Sequence, residues 1–273
     1  MIHIVHRDDA KTSGDITYFE APSLKALGPV NHAFCTRSVG LIQTMNSPYN
    51  AGTGIAEEQA RVPFNRELVA TTFGFESGQL ITMDQVHGDR IWIIDKTRSP
   101  SGPPLNRRSD ALLTDQRGIA IGVLTADCVP IVLVDPKRMA VGIIHAGWRG
   151  TLLEIARKAL QEMSRHFGTH PEDLLVAIGP SIDECCYEVD EAVIAPFRSS
   201  GWNWESFSKP KAKGTWLMNL ARANIEQMRD LGMREEKCCW VRVCTRCKND
   251  ILFSYRAEGT GVGEQISFIQ LRV

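Results

Sequence analysis

The 273-residue chain has no surplus of charge of either sign: 31 Lys and Arg face 32 Asp and Glu, a formal net charge of −1. No basic stripe or Lys/Arg run emerges along it, which removes the electrostatic footprint of a nucleic-acid or anionic-membrane partner. Long apolar runs are absent too. "IAIGVLTA" and "PIVLV" are far too short to span a bilayer. The opening "MIHIVHRDDAKTSGD" lacks the apolar core of a signal peptide, so a soluble, cytoplasmic protein is expected. Internal repeats, low-complexity tracts and a convincing linker are also missing. One domain over residues 1–273 is therefore expected, with enough chain to bury a substantial core. Two irregular segments, 98–110 ("RSPSGPPLNRRSD") and 199–215, read as exposed loops.

Eight cysteines are present. Without a secretory signal, and with a sizeable core available, reduced thiols are the better reading, most of them packing as small hydrophobes. Cys185–Cys186 and Cys238–Cys239 are adjacent pairs, a poor geometry for bridging each other. Cys244 and Cys247 form a C-x-x-C with no matching second pair, read as structural or incidental.

Short apolar runs predict strands at Leu80–Thr82, Arg90–Asp95, Ala111–Thr114, Ile119–Thr125, Ile131–Asp135, Ala140–Ile144, Leu174–Ile178, Trp240–Cys244 and Ile266–Leu271. Thr151 and Glu154 fit a capping box ahead of a helix that Gly168 stops. A second helix is expected from about Trp216 to Leu231, and a third over Glu57 to Phe73, interrupted by Pro63. Strand follows strand around residues 110–145, so the fold class is α+β with a mixed sheet.

Three apolar strands end on polar side chains and then turn: His87 in "LITMDQVHGD", Asp127 and Cys128 in "GIAIGVLTADCVP", and His145 in "VGIIHAGWRG". Rigid strands that terminate this way present functional groups. Singly, each has a bland explanation, because strand-end histidines satisfy carbonyls and buried cysteines pack. Together, two imidazoles and one thiolate make a good Zn2+ set, and three protein ligands leave the fourth position open, as in catalytic zinc sites. Beyond His145, Gly147 and Gly150 let a ligand approach the backbone. First-turn amides near Gly150 and Thr151, with Arg149, suit phosphate or carboxylate. An ordinary strand–helix turn is the competing reading of that segment.

These residues sit in five ordered motifs: "QVHG" (85–88), "TADCVPI" (125–131), "HAGWRGT" (145–151), "GPSIDECCYEV" (179–189) and "CTRCKNDILFSYRAEG" (244–259). From about Phe34 onward the chain resembles the YfiH-type family, labelled laccase domain or multicopper polyphenol oxidase and later assigned purine nucleoside chemistry. The resemblance places the family's metal-binding and catalytic residues on His87, Cys128 and His145. It implies a zinc enzyme that phosphorolyses adenosine, inosine and methylthioadenosine and deaminates adenosine, with purine nucleoside and phosphate as its small-molecule partners. The implied fold is a central mixed β-sandwich flanked by helices, similar to cysteine hydrolases. The chain departs from the family pattern by losing a Gly-Gly pair after Arg37, before an Asn50–Gly52 equivalent, and by carrying Val262 where arginine is expected.

On the phosphorylase reading, Arg149 and Arg37 hold phosphate, Asp127 is an acid/base, and Tyr187 and Tyr255 contact the base. An amidase editing cell-wall precursors would instead use Cys128 as nucleophile with a histidine base. Cu2+ oxidation of phenols fits least. Seven histidines include no His-x-His pair, and neither Met83 nor Met139 has the spacing of a blue-copper axial ligand. A purely structural zinc site would need a fourth protein ligand, with Cys35 or another thiol the candidate. Oligomeric state is not legible.

Overall fold

The computed structural model describes residues 1–41, 55–95 and 108–273, without the side chains of 40–41 and 55–62. Asn50–Gly52 and most of the 98–110 loop therefore lie outside the described residues. In chain order the strands are β1 (His3–Val5), β2 (Lys11–Ser13), β3 (Ile16–Phe19), β4 (Val30–Cys35), β5 (Gly40–Leu41), β6 (Leu80–Ile81), β7 (Ile91–Ile94), β8 (Ala111–Thr114) and β9 (Ala120–Thr125). They continue with β10 (Val129–Asp135), β11 (Ala140–Ala146), β12 (Leu175–Ile178), β13 (Glu188–Asp190), β14 (Ser208–Ala212), β15 (Thr215–Met218), β16 (Cys238–Val241) and β17 (Glu264–Leu271). Helices are α1 (Pro22–Lys25), α2 (Ile55–Phe73), α3 (Trp148–Leu152), α4 (Ile155–Phe167), α5 (Glu191–Ser199), α6 (Leu220–Arg229) and α7 (Tyr255–Glu258).

All nine strands expected from sequence form, within one to three residues of their expected ends. They fall in two mixed sheets, beside which β13, β15 and β14 form a separate three-stranded antiparallel sheet. One runs β1-β16-β12-β10-β11-β8-β7; the other runs β2-β3-β4-β17-β9-β6 with β5 also on β17. Parallel pairs (β7 with β8, β12 with β16, β6 with β9) sit beside antiparallel ones.

Strand alternation explains the layering. On β8, β10 and β11, Leu113, Ile131, Leu133 and Ile144 pack against Ala156, Leu160 and Met163 of α4 and Ile225 and Met228 of α6. The intervening Leu112, Val132, Val134, Val141 and Ile143 join Phe34, Ile121, Val123 and Ile269 from the other sheet in a second cluster. On that other sheet, Cys35, Ala120, Leu124 and Phe268 gather with Val69 of α2. Strands apolar on both sides are thus buried on both sides. Among the described residues, no helix is long and apolar enough to cross a membrane.

Three helix expectations need correction. Thr151 does not cap: it lies inside α3, buried, its hydroxyl accepting from Asn224 Nδ2 at 2.9 Å and its amide donating to the Gly147 carbonyl at 2.9 Å. Glu154, expected as the capping partner, instead adopts a left-handed conformation (φ 60°) at the break between α3 and α4. Trp216 and Leu217 belong to β15, and the following helix starts at Leu220 behind Asn219, whose side chain accepts from Arg222 N at 2.9 Å. Pro63 does not interrupt α2. The Cys244 end of the eighth expected strand also lies beyond β16.

Candidate metal centre

Register alone assembles the centre. In the β10–β11 hairpin Pro130 pairs with His145 and Val129 with Ala146, which sets Cys128, one residue before β10, beside Gly147. On the other side of β11, Ile144 pairs with Ala111, so Asp110 lies across from His145, whose amide donates to the Asp110 carbonyl at 2.7 Å. β7 runs parallel to β8 with Ile91 opposite Ala111, and His87 lies four residues before Ile91. One end of the strands β7, β8, β10 and β11 therefore gathers His87, Asp110, Cys128 and His145.

The expected trio converges. The ligand atoms of His87, Cys128 and His145 all lie within 4.8 Å of one another. The two imidazole centroids are 4.7 Å apart at 85°. Among the described residues no fourth His, Cys, Asp or Glu atom joins this group. Cys35 is not a fourth ligand; it is buried in the core around α2, where burial pushes its thiol up to about 12.

Asp110 was missed by sequence reading because it closes a segment that looks like an exposed loop. It is fully buried, and a carboxylate there is costly unless bonded. Its Oδ1 accepts from His145 Nδ1 (2.8 Å) and His87 N (2.9 Å), its Oδ2 from Gly88 N (2.8 Å), and both oxygens from Val86 N (3.2 Å). Burial would raise its pKa. The His145 hydrogen bond and charge, with the Gly88 and Val86 amides, more than reverse this and hold the carboxyl low. The acceptor-only carboxylate fixes the proton of His145 on Nδ1 and leaves Nε2 for a ligand. It also braces His87, whose φ of +56° is strained for a non-glycine residue by on the order of 1–3 kcal/mol.

Cys128 sits between the histidines. Burial opposes its ionisation, but the charge and hydrogen bond of His145, then those of His87, pull the thiol well below its usual range. His145 is raised in return: burial opposes, and Cys128 and Asp110 prevail. Once a cation displaces the Nε2 proton of His145, two imidazole nitrogens and a thiolate make a donor set for a metal that takes nitrogen and sulfur.

The bare backbone of "HAGWRG" has a packing cause. A Cβ on Gly147 would stand 2.9 Å from His87 Cδ2 and 3.0 Å from Cys128 Sγ; one on Gly150 would meet the Gly88 carbonyl at 2.9 Å. The two turns interlock, and neither glycine has positive φ. Arg149 is exposed, its guanidinium 4.4 Å from the Trp148 ring centroid, and no carboxylate among the described residues pairs with it.

Asp127, also strained at φ +99°, is held by three donors. It accepts from Thr245 Oγ1 (2.5 Å), Ser254 Oγ (2.7 Å) and Arg256 N (2.6 Å). Thr245 and Ser254 were not singled out in the sequence, though both lie in its last motif. Tyr187 is buried beneath the Arg256 guanidinium at 5.2 Å. Burial, then the charge of Cys128, raises its pKa, with Asp127 adding while Arg256 and Arg149 oppose. Tyr255 is 48% exposed at the start of α7. Arg37 is spoken for: it pairs with Glu258 at 2.9 Å, donates to the Asn249 carbonyl and lies over Phe253.

Residues 31–272 match the family described as Multi-copper polyphenol oxidoreductase laccase. Among curated relatives, purine nucleoside phosphorylase YlmD of Bacillus subtilis is 27% identical over 88% of this chain and 87% of its own length. A purine nucleoside phosphorylase of Bacteroides thetaiotaomicron is 30% identical over 91% and 94%. Adenosine deaminase RL5, from an unknown prokaryote, is 32% identical over 79% and 84%. The crystal structure of the Bacillus licheniformis hypothetical protein YfiH superposes with a TM-score of 0.82 at 28% identity, covering 97% of this chain and all of that one.

Proposed function

This chain belongs to the multi-copper polyphenol oxidoreductase laccase family, and on that premise we propose that it is a zinc-dependent purine nucleoside phosphorylase that also deaminates adenosine. The observation that carries the proposal is the convergence of His87, Cys128 and His145 within 4.8 Å, ordered by the buried Asp110. Relatives named for both activities support the substrate class. The whole chain acts as one catalytic domain, its two facing mixed sheets forming the sandwich of a YfiH-like fold.

His87, Cys128 and His145 would hold the zinc, which when bound supplies Lewis-acid polarisation in a site with an open position. Arg149 binds and orients the phosphate oxygens; its stacking on Trp148 fixes the fork. In phosphorolysis a phosphate oxygen bonds to the anomeric carbon as the glycosidic C–N bond breaks, and the purine leaves with the electron pair and takes up a proton. Tyr255 offers an exposed ring for the base. Tyr187 and Arg256 form the wall behind it. Asp127, accepting two hydrogen bonds on Oδ1 and one on Oδ2, positions that wall and keeps a lone pair on Oδ2 for an acid/base role. Arg37 anchors the Asn249–Glu258 segment, so phosphate falls to Arg149.

The amidase reading has one observation in its favour: Cys128, His145 and Asp110 are linked in the order of a nucleophile–base–orienter chain. It leaves His87 without a role, whereas a cation uses all three. Copper oxidation gains nothing. Met139 closes the far end of the β10–β11 hairpin, about seven residues or some 20 Å of strand from Cys128.

The test is incubation of the zinc-loaded protein with inosine or adenosine, with and without phosphate. Release of free base together with ribose 1-phosphate, only when phosphate is present, is expected. No base release from either nucleoside contradicts the proposal, as does amide cleavage by metal-free protein.

A further inference from the structure

The C-x-x-C without a partner finds one in space. β12 and β16 are neighbouring parallel strands, Ile178 opposite Trp240, so the chain leaves both at the same end of the sheet. The two exit segments stay together: Ser181 bridges Cys244, and Thr245 N donates to the Ser181 carbonyl at 3.1 Å. This sets Cys185 and Cys186, in the turn after β12, against Cys244 and Cys247, just after β16. All four Sγ atoms lie within 4.8 Å of one another. Cys247 Sγ is 3.6 Å from that of Cys185 and 3.3 Å from that of Cys186. Cys185 and Cys247 are exposed, so core packing does not account for these two thiols, while Cys186 and Cys244 border the core.

We propose that Cys185, Cys186, Cys244 and Cys247 form a second, structural zinc site that staples the 179–187 turn to the 244–258 segment. Four thiolates around zinc at about 2.3 Å in a tetrahedron stand about 3.8 Å apart, in the middle of the observed spread. A disulfide needs about 2.05 Å between two sulfurs and leaves the other two unexplained. An iron–sulfur cube is larger than this quartet, because its cysteines bind separate corners. Oxygen-seeking cations have no ligand among the four. Asp183 N donates to Cys244 Sγ at 3.5 Å, the kind of contact that steadies a ligating thiolate. On binding, each cysteine exchanges its proton for a zinc–sulfur bond, and the protons go to solvent.

The staple has a consequence for the neighbouring centre. The two segments it joins carry Ile182, whose amide donates to the Asp127 carbonyl at 2.9 Å, and Thr245, Ser254 and Arg256, which hold the Asp127 carboxylate. The second ion would fix the wall of the site without touching substrate.

The experiment measures zinc per chain by elemental analysis, with visible spectra after cobalt replacement, on the intact protein, on a Cys185→Ser/Cys247→Ser double variant and on His145→Ala. Both serine substitutions fall on exposed positions, sparing the buried Cys244. Zinc content falling by about one equivalent in the double variant is expected, with loss of most of the thiolate-to-cobalt charge-transfer absorption, the weaker band from Cys128 remaining, and a melting temperature lower by several degrees. Zinc content and cobalt absorption unchanged in the double variant overturn the inference; so does a disulfide among these cysteines in freshly purified protein. Zinc lost in His145→Ala but kept in the double variant rejects this site and leaves the catalytic reading standing. The reverse pattern does the opposite.

Discussion

At the residue scale, Asp110 organises the candidate centre. It accepts hydrogen bonds from the amides of Val86, His87 and Gly88, which braces the strained His87, and it orients His145. Asp110→Asn keeps the shape but replaces one acceptor oxygen by a donor that meets N–H groups. Zinc affinity is expected to drop about 10- to 100-fold, and stability by about 1–3 kcal/mol at neutral pH. A carboxyl whose folded pKa is depressed contributes stability that is present above its unfolded pKa, ordinarily 3.8, and lost as pH falls through the lower folded value. The stability curves of the variant and the parent should therefore converge below about pH 4. Equilibrium denaturation across pH checks this; a constant difference down to acid pH speaks against it. His87 lies six residues beyond β6, in the turn that leads into β7, whereas Cys128 and His145 were legible in the sequence because each sits at an end of an apolar strand. Asp110 was not, since its burial follows from the β8–β11 register. Nor was the cysteine quartet: Cys185–Cys186 lacks C-x-x-C spacing and meets Cys244–Cys247 only through the β12–β16 pairing.

At the scale of elements, the interlocked turns set the tolerance of the centre. Gly147 has an ordinary φ of −77°, so alanine is permitted by the backbone and refused only by space. Its Cβ would press on His87 and Cys128 together. Gly147→Ala is expected to weaken zinc binding at least tenfold, with an overpacking cost of about 1–3 kcal/mol. Zinc titration with a competing chelator measures it, and unchanged affinity refutes the packing argument. Strands buried on both faces were legible as unbroken apolar runs, β8 to the residue. Helix starts were not. Thr151 looked like a cap, yet its hydroxyl is taken by Asn224 of α6, a contact between distant segments. β1 and β2, three residues each and partly exposed, carry too little pattern to be seen.

At the scale of the molecule, two mixed sheets share a hydrophobic layer, with helices against the outer side of each. A sequence in which strand follows strand announces a mixed sheet, but neither the strand order nor the division into two sheets. That division matters for function. The sheet with β10 and β11 near its middle gathers all four residues at one end of its strands, His145 on β11 and the other three in the connections that lead into β7, β8 and β10. Preorganisation of this kind lets a buried carboxylate, two imidazoles and a thiol be held close together.

The most direct check on the central claim is anomalous diffraction at the zinc absorption edge from crystals of the zinc-loaded protein. A peak bonded to His87, Cys128 and His145 together, with a non-protein ligand completing it, is the predicted result. The three side chains in contact with no metal, or a fourth protein ligand closing the shell, would contradict it.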